Sequence, residues 1–403
     1  MSIDPDRFAY TAWVRRKQTD ERTANKAVEA EYKQQGFSVV TQEMLDRLEN
    51  FAHLSAHHPI IIRARIHTMT NRAVYVLPPG GLNNLESRTV ETPGPGVGEV
   101  TIAIHANSLN HHDYLVAIGE ITTDGPRILL SDAAGEVVAV GDGVTQFSVG
   151  DRVMSTYLPH WRSGAPDFDG FGNSPGDGVD GFARAAATVS ASAVTSMPRN
   201  YTYEEAATLP TAGLSAWRAL FAGVPIIPGS SVLIPGTSTV ALFAVQLAKA
   251  VGAQVIATSS APDKMARLVE LGADHVVNYR ERPDWGTEAM RLSGGIDLVL
   301  DVGGPSTLGQ SLAAVRPGGR ICALGIMNGP SSSIDLTSLL TKQVTIEGVL
   351  VGSRAHQEEM VAGLESLALR PVIDSSYSLD RLADAFEQQK SGQAYGKIVI
   401  TNP

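Results

Sequence analysis

Ser231-Val232-Leu233-Ile234-Pro235-Gly236-Thr237-Ser238-Thr239-Val240-Ala241-Leu242-Phe243-Ala244-Val245-Gln246-Leu247-Ala248 is the stretch on which the reading of this chain turns. It opens on a short apolar strand. It then passes a glycine turn and enters a helix, because Val240, Phe243, Ala244, Leu247, Ala248 and Val251 recur on one helical face. The first turn of such a helix has backbone N–H groups without helical acceptors, and these can hold an anion. Set against Gly-x-Gly-x-x-Gly/Ala, the turn keeps Gly236 and Ala241 but has Ser238 in place of the middle glycine. Taken alone, it also fits a plain strand-to-helix connection.

Downstream the alternation continues. Gln254 to Thr258 reads as a strand. Ser260-Ala261-Pro262-Asp263 reads as a helix start with a serine cap, and Gly272 as its end. Further strands are expected at His275–Tyr279, Ile296–Asp301, Arg320–Gly325 and Thr345–Val351. Six near-continuous apolar strands separated by helices predict an α/β domain with a doubly wound parallel sheet. Such a sheet binds dinucleotides at the carboxyl ends of its strands. An NAD site usually has an acid at the end of the second strand. Here that region reads Thr258-Ser259-Ser260, followed by Lys264, a set of donors suited to a 2′-phosphate. The alternative is that Ser260 only caps and Lys264 is a surface lysine.

Upstream, short strands with glycine turns at 73–76, 99–104, 135–141 and 149–154 suggest a small barrel. Residues 162–181 form a Gly/Asp/Pro-rich loop. Residues 1–68 differ in texture and include a helical stretch from Thr41 to Leu54, with Met44, Leu45, Leu48, Phe51 and Ala52 on one face. This appendage shows no chemistry.

The composition excludes several classes. The 403 residues include 42 acidic and 32 basic side chains, for a net charge of −10, so no general nucleic-acid or anionic-membrane surface is expected. The lone cysteine, Cys322, rules out an intramolecular disulfide, a cysteine zinc lobe and an iron–sulfur cluster. It lies in an apolar strand and reads as a core residue. The stretch from Val240 to Ala257 is interrupted by Gln246, Lys249, Gly252 and Gln254 and fails as a membrane span. A soluble, cytoplasmic protein is expected.

Many local motifs coincide with one family. They include Ser108-Leu109-Asn110-His111-His112-Asp113, Ala134-Gly135-Glu136-Val137-Val138, Val149-Gly150-Asp151-Arg152-Val153, Glu205-Ala206-Ala207-Thr208-Leu209-Pro210, Gly213-Leu214-Ser215-Ala216-Trp217, Leu271-Gly272-Ala273-Asp274, Arg316-Pro317-Gly318-Gly319 and Tyr395-Gly396-Lys397-Ile398-Val399-Ile400. From about Met69 onward the chain resembles the medium-chain dehydrogenase/reductase superfamily, on its zinc-independent, quinone-oxidoreductase-like side. The resemblance implies a helical appendage at 1–68 and a GroES-like substrate domain at 69–195, completed by 356–403. A Rossmann dinucleotide-binding domain is implied at 196–355. It also implies a homodimer and a small-molecule substrate.

Zinc-dependent relatives use a Cys, a Gly-His-Glu motif and a later Cys or Asp. The counterparts here are Asn110, Leu130-Ser131-Asp132 and Thr211, of which only Asp132 is a zinc ligand type. His111 and His112, read as strand neighbours, would face opposite ways. No metal is expected. The resemblance places Asn110 and His112 on the cleft floor. There Asn110 could donate an amide N–H to a substrate oxygen and His112 could donate a proton, with Tyr114 as a third candidate. Expected cofactor contacts are Ser215, Gly236, Thr237, Ser238, Thr239, Val240, Thr258, Ser259, Ser260, Lys264, Tyr279, Val302, Gly303, Leu324, Gly325, Val351, Gly352, Ser353 and Lys397, the last reaching toward the phosphates. The expected activity is NADPH-dependent hydride transfer to an activated C=C (enone or quinone) or a carbonyl. The rival is a catalytically weak cofactor-binding scaffold or sensor of the same fold.

Overall fold

The computed structural model describes residues 69–166, 172–326, 329–331 and 333–402. The appendage at 1–68, with the helix expected over Thr41–Leu54, lies outside the described residues. The chain enters through β1 (Met69–Val76), β2 (Leu85–Thr92), β3 (Glu99–Ser108), β4 (Arg127–Ile128), β5 (Asp132–Val140), β6 (Arg152–Ser155), β7 (Ala186–Ser190) and β8 (Val194–Ser196). Helix α1 (His111–Ile118) lies between β3 and β4. β3 is the hub, antiparallel to both β5 and β7, and its inward residues Val100, Ile102 and Ile104 pack with Val137, Val153 and Phe182. β6 starts at Arg152 rather than Val149, because Gly150 turns the chain with φ +95°.

The chain then crosses through α2 (Tyr203–Ala207), a π-helical turn at Leu209–Gly213 and α3 (Leu214–Phe221). It reaches β9 (Ser231–Pro235), α4 (Thr239–Ala250), β10 (Gln254–Ser259), α5 (Pro262–Glu270), β11 (His275–Asn278), α6 (Trp285–Ser293), β12 (Ile296–Asp301), α7 (Leu308–Ala314), β13 (Val315–Ala323), α8 (Leu336–Lys342) and β14 (Thr345–Gly348). These six strands form one sheet in the order β11-β10-β9-β12-β13-β14, and every pairing is parallel. That is the doubly wound dinucleotide-binding order, with the switch between β9 and β12. Val232, Leu233 and Ile234 of β9 are fully buried, as an apolar strand covered on both faces should be.

After α9 (Arg354–Ser366) the chain returns to the first domain. β15 (Ile373–Ser378) and β16 (Lys397–Thr401), with α10 (Leu382–Ser391) between them, add to the edge of β3. β16 runs antiparallel to β3, with Val399 opposite Ser108. The fold is therefore a Rossmann sheet joined to a GroES-like domain that the last strands complete.

Three local expectations change. The sixth parallel strand stops at Gly348, and Val351 has φ +45°, which a continuing strand forbids. Ser260 does not cap α5; the cap position is Ala261, whose N–H goes to Ser259 Oγ at 3.3 Å. His111 and His112 lie in the first turn of α1, not on a strand, because the Asp113 carboxylate takes the Asn110 N–H at 2.9 Å and nucleates a helix there.

Candidate active site

The end of β3, the start of α1, the start of β5 and the middle of β16 meet at one buried polar group. Asp132 is its centre and is fully buried. Its Oδ2 accepts from Asn110 Nδ2 at 2.8 Å and from Ser108 Oγ at 3.0 Å. Its Oδ1 accepts from Thr211 Oγ1 at 2.6 Å. Thr211 comes from the π-helical turn, so this bond ties the two domains together. Leu130, just before this strand, has φ +70°, a strained conformation for a branched side chain that turns Ser131 and Asp132 into the cluster.

Lys397 supplies the opposing charge. Its ammonium is buried, donates to Leu109 O at 2.8 Å and Asn110 Oδ1 at 2.7 Å, and lies 3.6 Å from Asp132 Oδ2. Burial pulls this lysine below its usual range, while Asp132 and Asp113 oppose the shift. Asp113 accepts the N–H groups of Asn110 and Ser131, both at 2.9 Å. Burial, reinforced by the charge of Asp132, pushes the Asp113 carboxyl up to about 7, against those hydrogen bonds and Lys397.

This geometry revises three expectations. An ammonium cannot accept, so the amide oxygen of Asn110 must face Lys397 and its nitrogen must face the other side. Both of its N–H bonds then go to Ser131 Oγ, at 3.2 Å, and Asp132, which leaves none for a substrate oxygen. Lys397 is held in the GroES-like domain rather than at the phosphates. The Tyr114 ring packs with its centroid 6.2 Å from that of Phe386, in the apolar cluster of that domain, apart from the polar group. His112 lies in the first turn of α1. Its Nε2 is 3.2 Å from Asp177 Oδ2, and its ring sits edge-on to Tyr157 at 5.9 Å. Burial lowers the His112 pKa, and Asp177 opposes that shift.

The positions equivalent to zinc ligands do converge, since Asn110, Ser131 and Thr211 all bond Asp132 or its partner. They do not fit zinc. Only Asp132 is a suitable ligand type, and the Lys397 ammonium stands among them as the cation. Among the described residues no group of three or more His, Cys, Asp or Glu side chains could hold a metal ion.

Of the expected cofactor residues, Gly236, Thr258, Ser259, Ser260, Tyr279, Val302, Gly303, Leu324 and Gly325 stand at or just beyond the carboxyl ends of parallel strands, whereas Ser215 lies on α3 and Lys397 in β16. Gly236 has φ +85°, and nothing lies within 4 Å of where a Cβ would stand, so the turn opens on free space. Ser238 Oγ caps α4 by accepting from Ala241 N at 3.2 Å, and Thr239 and Val240 begin that helix just after Thr237. Thr258 Oγ1 takes Gly236 N at 3.1 Å and so braces the turn, while Ser259 is buried with its Oγ on Ala261 N. Ser260 Oγ instead reaches out to Tyr279 Oη at 2.9 Å. Lys264 Nζ donates to the carbonyls of Gly392 at 3.0 Å and Ala394 at 3.4 Å.

Farther along, Val302 and Gly303 follow β12, and Asp301 accepts the Gly303 N–H at 3.1 Å. Leu324 and Gly325 follow β13; a Cβ on Gly325 would stand 2.3 Å from Val302 O, so only glycine allows these strand ends to sit this close. Val351 and Gly352 abut α3, where a Cβ on Gly352 would lie 2.9 Å from Leu214 Cγ. Ser353 is buried and caps α9, accepting from His356 N at 3.2 Å. Ser215 Oγ bonds Thr211 O at 2.7 Å, which joins the strand-end row to the Asp132 cluster. Asp132, Thr211 and Asp177 were not expected as working residues. The only signal for the first two was their match to metal-ligand positions, and Asp177 sits in a loop without periodicity.

Known proteins share this arrangement. Residues 96–199 match the alcohol dehydrogenase GroES-like domain, and residues 239–367 match the zinc-binding dehydrogenase family. A zinc-type alcohol dehydrogenase-like protein of Schizosaccharomyces pombe is 34% identical over 331 residues, covering 79% of this chain and 96% of its own. An acryloyl-coenzyme A reductase of Metallosphaera sedula is 29% identical, covering 80% of this chain and 98% of its own. The cobalt- and zinc-bound thermostable alcohol dehydrogenase of Pyrobaculum aerophilum superposes with a TM-score of 0.73 at 30% identity, covering 83% of this chain and all of that one. A parallel sheet in the 3-2-1-4-5-6 order, a GroES-like domain closed by the last strand and whole-length relatives all agree, and the chain belongs to the medium-chain dehydrogenase/reductase superfamily of oxidoreductases.

Proposed function

We propose that the protein is an NADPH-dependent, zinc-independent oxidoreductase acting on an activated C=C (enone or quinone) or a carbonyl. The observation that carries this is the open Gly236 turn among the strand ends that also bear Ser260, Tyr279, Gly303 and Gly325, together with an ammonium standing among the positions equivalent to zinc ligands. The nicotinamide cofactor, when bound, supplies the hydride. The chain's own residues do the rest. The α4 N-terminus receives the pyrophosphate. Ser260, Tyr279 and Lys264 receive the 2′-phosphate, which would replace the carbonyls of Gly392 and Ala394 as partners of the lysine. The cleft positions donor and acceptor together. The acryloyl-coenzyme A reductase and the alcohol dehydrogenase-like relatives support the two acceptor classes respectively.

The test is titration of NADPH and NADH into wild type and Lys264→Ala. Loss of the charge-assisted bond should weaken NADPH by about 1–3 kcal/mol and leave NADH nearly unchanged. Equal loss for both overturns the assignment. NADPH oxidation against a panel of quinones, enones and aldehydes identifies the acceptor class. Elemental analysis of purified protein should find no stoichiometric zinc, and one tightly held zinc per chain would sink the metal-free reading.

We also propose a homodimer. Among the described residues no strand pairs with the outer edge of β14, and nearby Leu336 and Leu340 are exposed at 63% and 73%. Light scattering at the monomer mass would refute it. Among the described residues no helix is long and apolar enough to cross a membrane.

A further inference from the structure

We propose that Asp177 is a positioning residue for His112: its carboxylate holds the Nε2 edge of the imidazole, so that the Nδ1 edge delivers the proton that completes the reduction. This rests on the reduction reading above. Uptake of hydride leaves negative charge on a carbonyl or enolate oxygen, and a proton must meet it. The Asp132 cluster does not supply it. The Asn110 N–H bonds are already donated to Ser131 and Asp132, and the Thr211 O–H to Asp132. Asp113, Asp132 and Lys397 are buried. Tyr157 is buried too, and burial, reinforced by the charges of Asp113, Asp132 and Asp177, pushes its hydroxyl well above its ordinary range. His111 stands about 100° round the helix from His112, and its ring stacks toward Tyr114. His112 and Asp177 differ from these. Their side chains keep 16% and 12% exposure, with Nε2 and Oδ2 3.2 Å apart. The His112 ring meets Tyr157 edge-on, and Tyr157 belongs to the core shared with Leu209, Ala212 and Leu214 of the crossing between the domains. The pair therefore stands at the domain junction, beside the Asp132 cluster.

The loop that carries Asp177 is built to hold it still. Gly176 has φ +86°, and a Cβ there would stand 3.0 Å from Leu130 N. A Cβ on Gly181 would stand 2.3 Å from Leu130 O. Gly181 N and Phe182 N donate to Ile128 O and Leu130 O, both at 2.7 Å. Asp177 N and Val179 N turn back to Ser174 O at 3.2 and 3.3 Å. The loop is thus knitted to the same backbone whose turn at Leu130 aims Ser131 and Asp132. Burial lowers the His112 pKa, Asp177 raises it, and the neighbouring His111 lowers it. The carboxylate thereby favours the imidazolium that the step requires. In the step, the Nδ1–H bond breaks, its electron pair stays on nitrogen, and the proton bonds to the substrate anion. His112 ends neutral, with its Nε2 proton still turned to an unchanged Asp177 carboxylate. After product leaves, His112 takes a proton from solvent. In the oxidative direction the neutral Nδ1 accepts the proton of a substrate hydroxyl.

The test is steady-state kinetics, with whichever quinone, enone or aldehyde of the panel is reduced, on wild type, Asp177→Asn, His112→Gln and the double variant. Circular dichroism checks that each folds. Loss of the general acid in His112→Gln should lower kcat about 10²-fold or more. Loss of the orienting carboxylate in Asp177→Asn should lower kcat about 10-fold or more. Neither change should move KM or NADPH affinity by more than about twofold. The double variant should be no slower than His112→Gln, because Asp177 acts only through the imidazole. Should Asp177→Asn fail to fold, Asp177→Ser carries the same expectations. Asp177→Asn at the wild-type kcat overturns the proposal, as does a loss confined to KM. A double variant slowed by the product of the two single losses overturns it as well. A wild type that reduces no acceptor in the panel refutes the reduction reading itself, and the role of Asp177 with it. An active wild type with an unimpaired His112→Gln variant refutes only the His112–Asp177 pair.

Discussion

Replacing Lys397 by Met tests whether the buried charges of the cluster compensate one another. Met keeps the length and apolar body of the side chain and removes the cation. Asp132 is fully buried and Asp113 nearly so, so neither can recover its lost partner from water. Removing one partner of a buried pair costs about 3–5 kcal/mol, because it strands the other charge. A domain of this size loses ~2–4 °C of melting temperature per kcal/mol, so the midpoint should fall by roughly 10 °C. The assay is thermal and guanidinium unfolding at neutral pH, followed by circular dichroism, on wild type, Lys397→Met, Asp132→Asn and the double variant. The lysine and the aspartate share hydrogen-bond partners in Asn110, so their effects should not add. The double variant should be less destabilised than the sum of the singles by about 0.5–3 kcal/mol. Additivity of the two single effects would refute the claim that Lys397 serves as the counter-charge of Asp132.

Two further outcomes are expected. Ser238→Gly with Thr239→Gly removes a cap at a cost of a few tenths of a kcal/mol, yet should tighten NADPH binding by opening the turn to the pyrophosphate; calorimetry showing an equal or larger dissociation constant would make the hydroxyls phosphate ligands instead. The folded pKa of Asp113 is raised to about 7, so its proton favours the folded state; that stability is full below about pH 4 and is lost as pH rises through about 7. Asp113→Asn should therefore flatten the decline in unfolding free energy between pH 5 and 8, by on the order of 1–4 kcal/mol, and an unchanged profile would show that this carboxyl is not its source.

The parallel sheet was legible because its strands are apolar on both faces and its turns carry glycine, so Ser231–Ile234 and Ile296–Asp301 announce themselves by period alone. The strand ends expected to face a cofactor were legible for the same reason, since strand ends follow strands. The buried polar cluster was not. It joins Asn110, Asp132, Thr211 and Lys397, which are far apart in sequence and carry no shared pattern. Resemblance placed Lys397 at the phosphates, yet β16 pairs with β3 and sets it beside Asn110 instead. His111 and His112 were misplaced on a strand because a two-residue window cannot see the Asp113 carboxylate that starts the helix. Ser260 reads as a cap in sequence, but Ser259 turns back to the Ala261 N–H and frees Ser260 for Tyr279.

The return of β16 to the first domain also dictates an order of events during synthesis. The strands that carry Asn110, Asp113 and Asp132 leave the ribosome well before Lys397 is made. Until then the nascent GroES-like domain holds acids with no cation to meet them, and the edge of β3 beside Ser108 is unpaired. The first sheet therefore gains its β16 pairing only after the whole dinucleotide-binding sheet is translated. Its interior closes only when the last strand arrives.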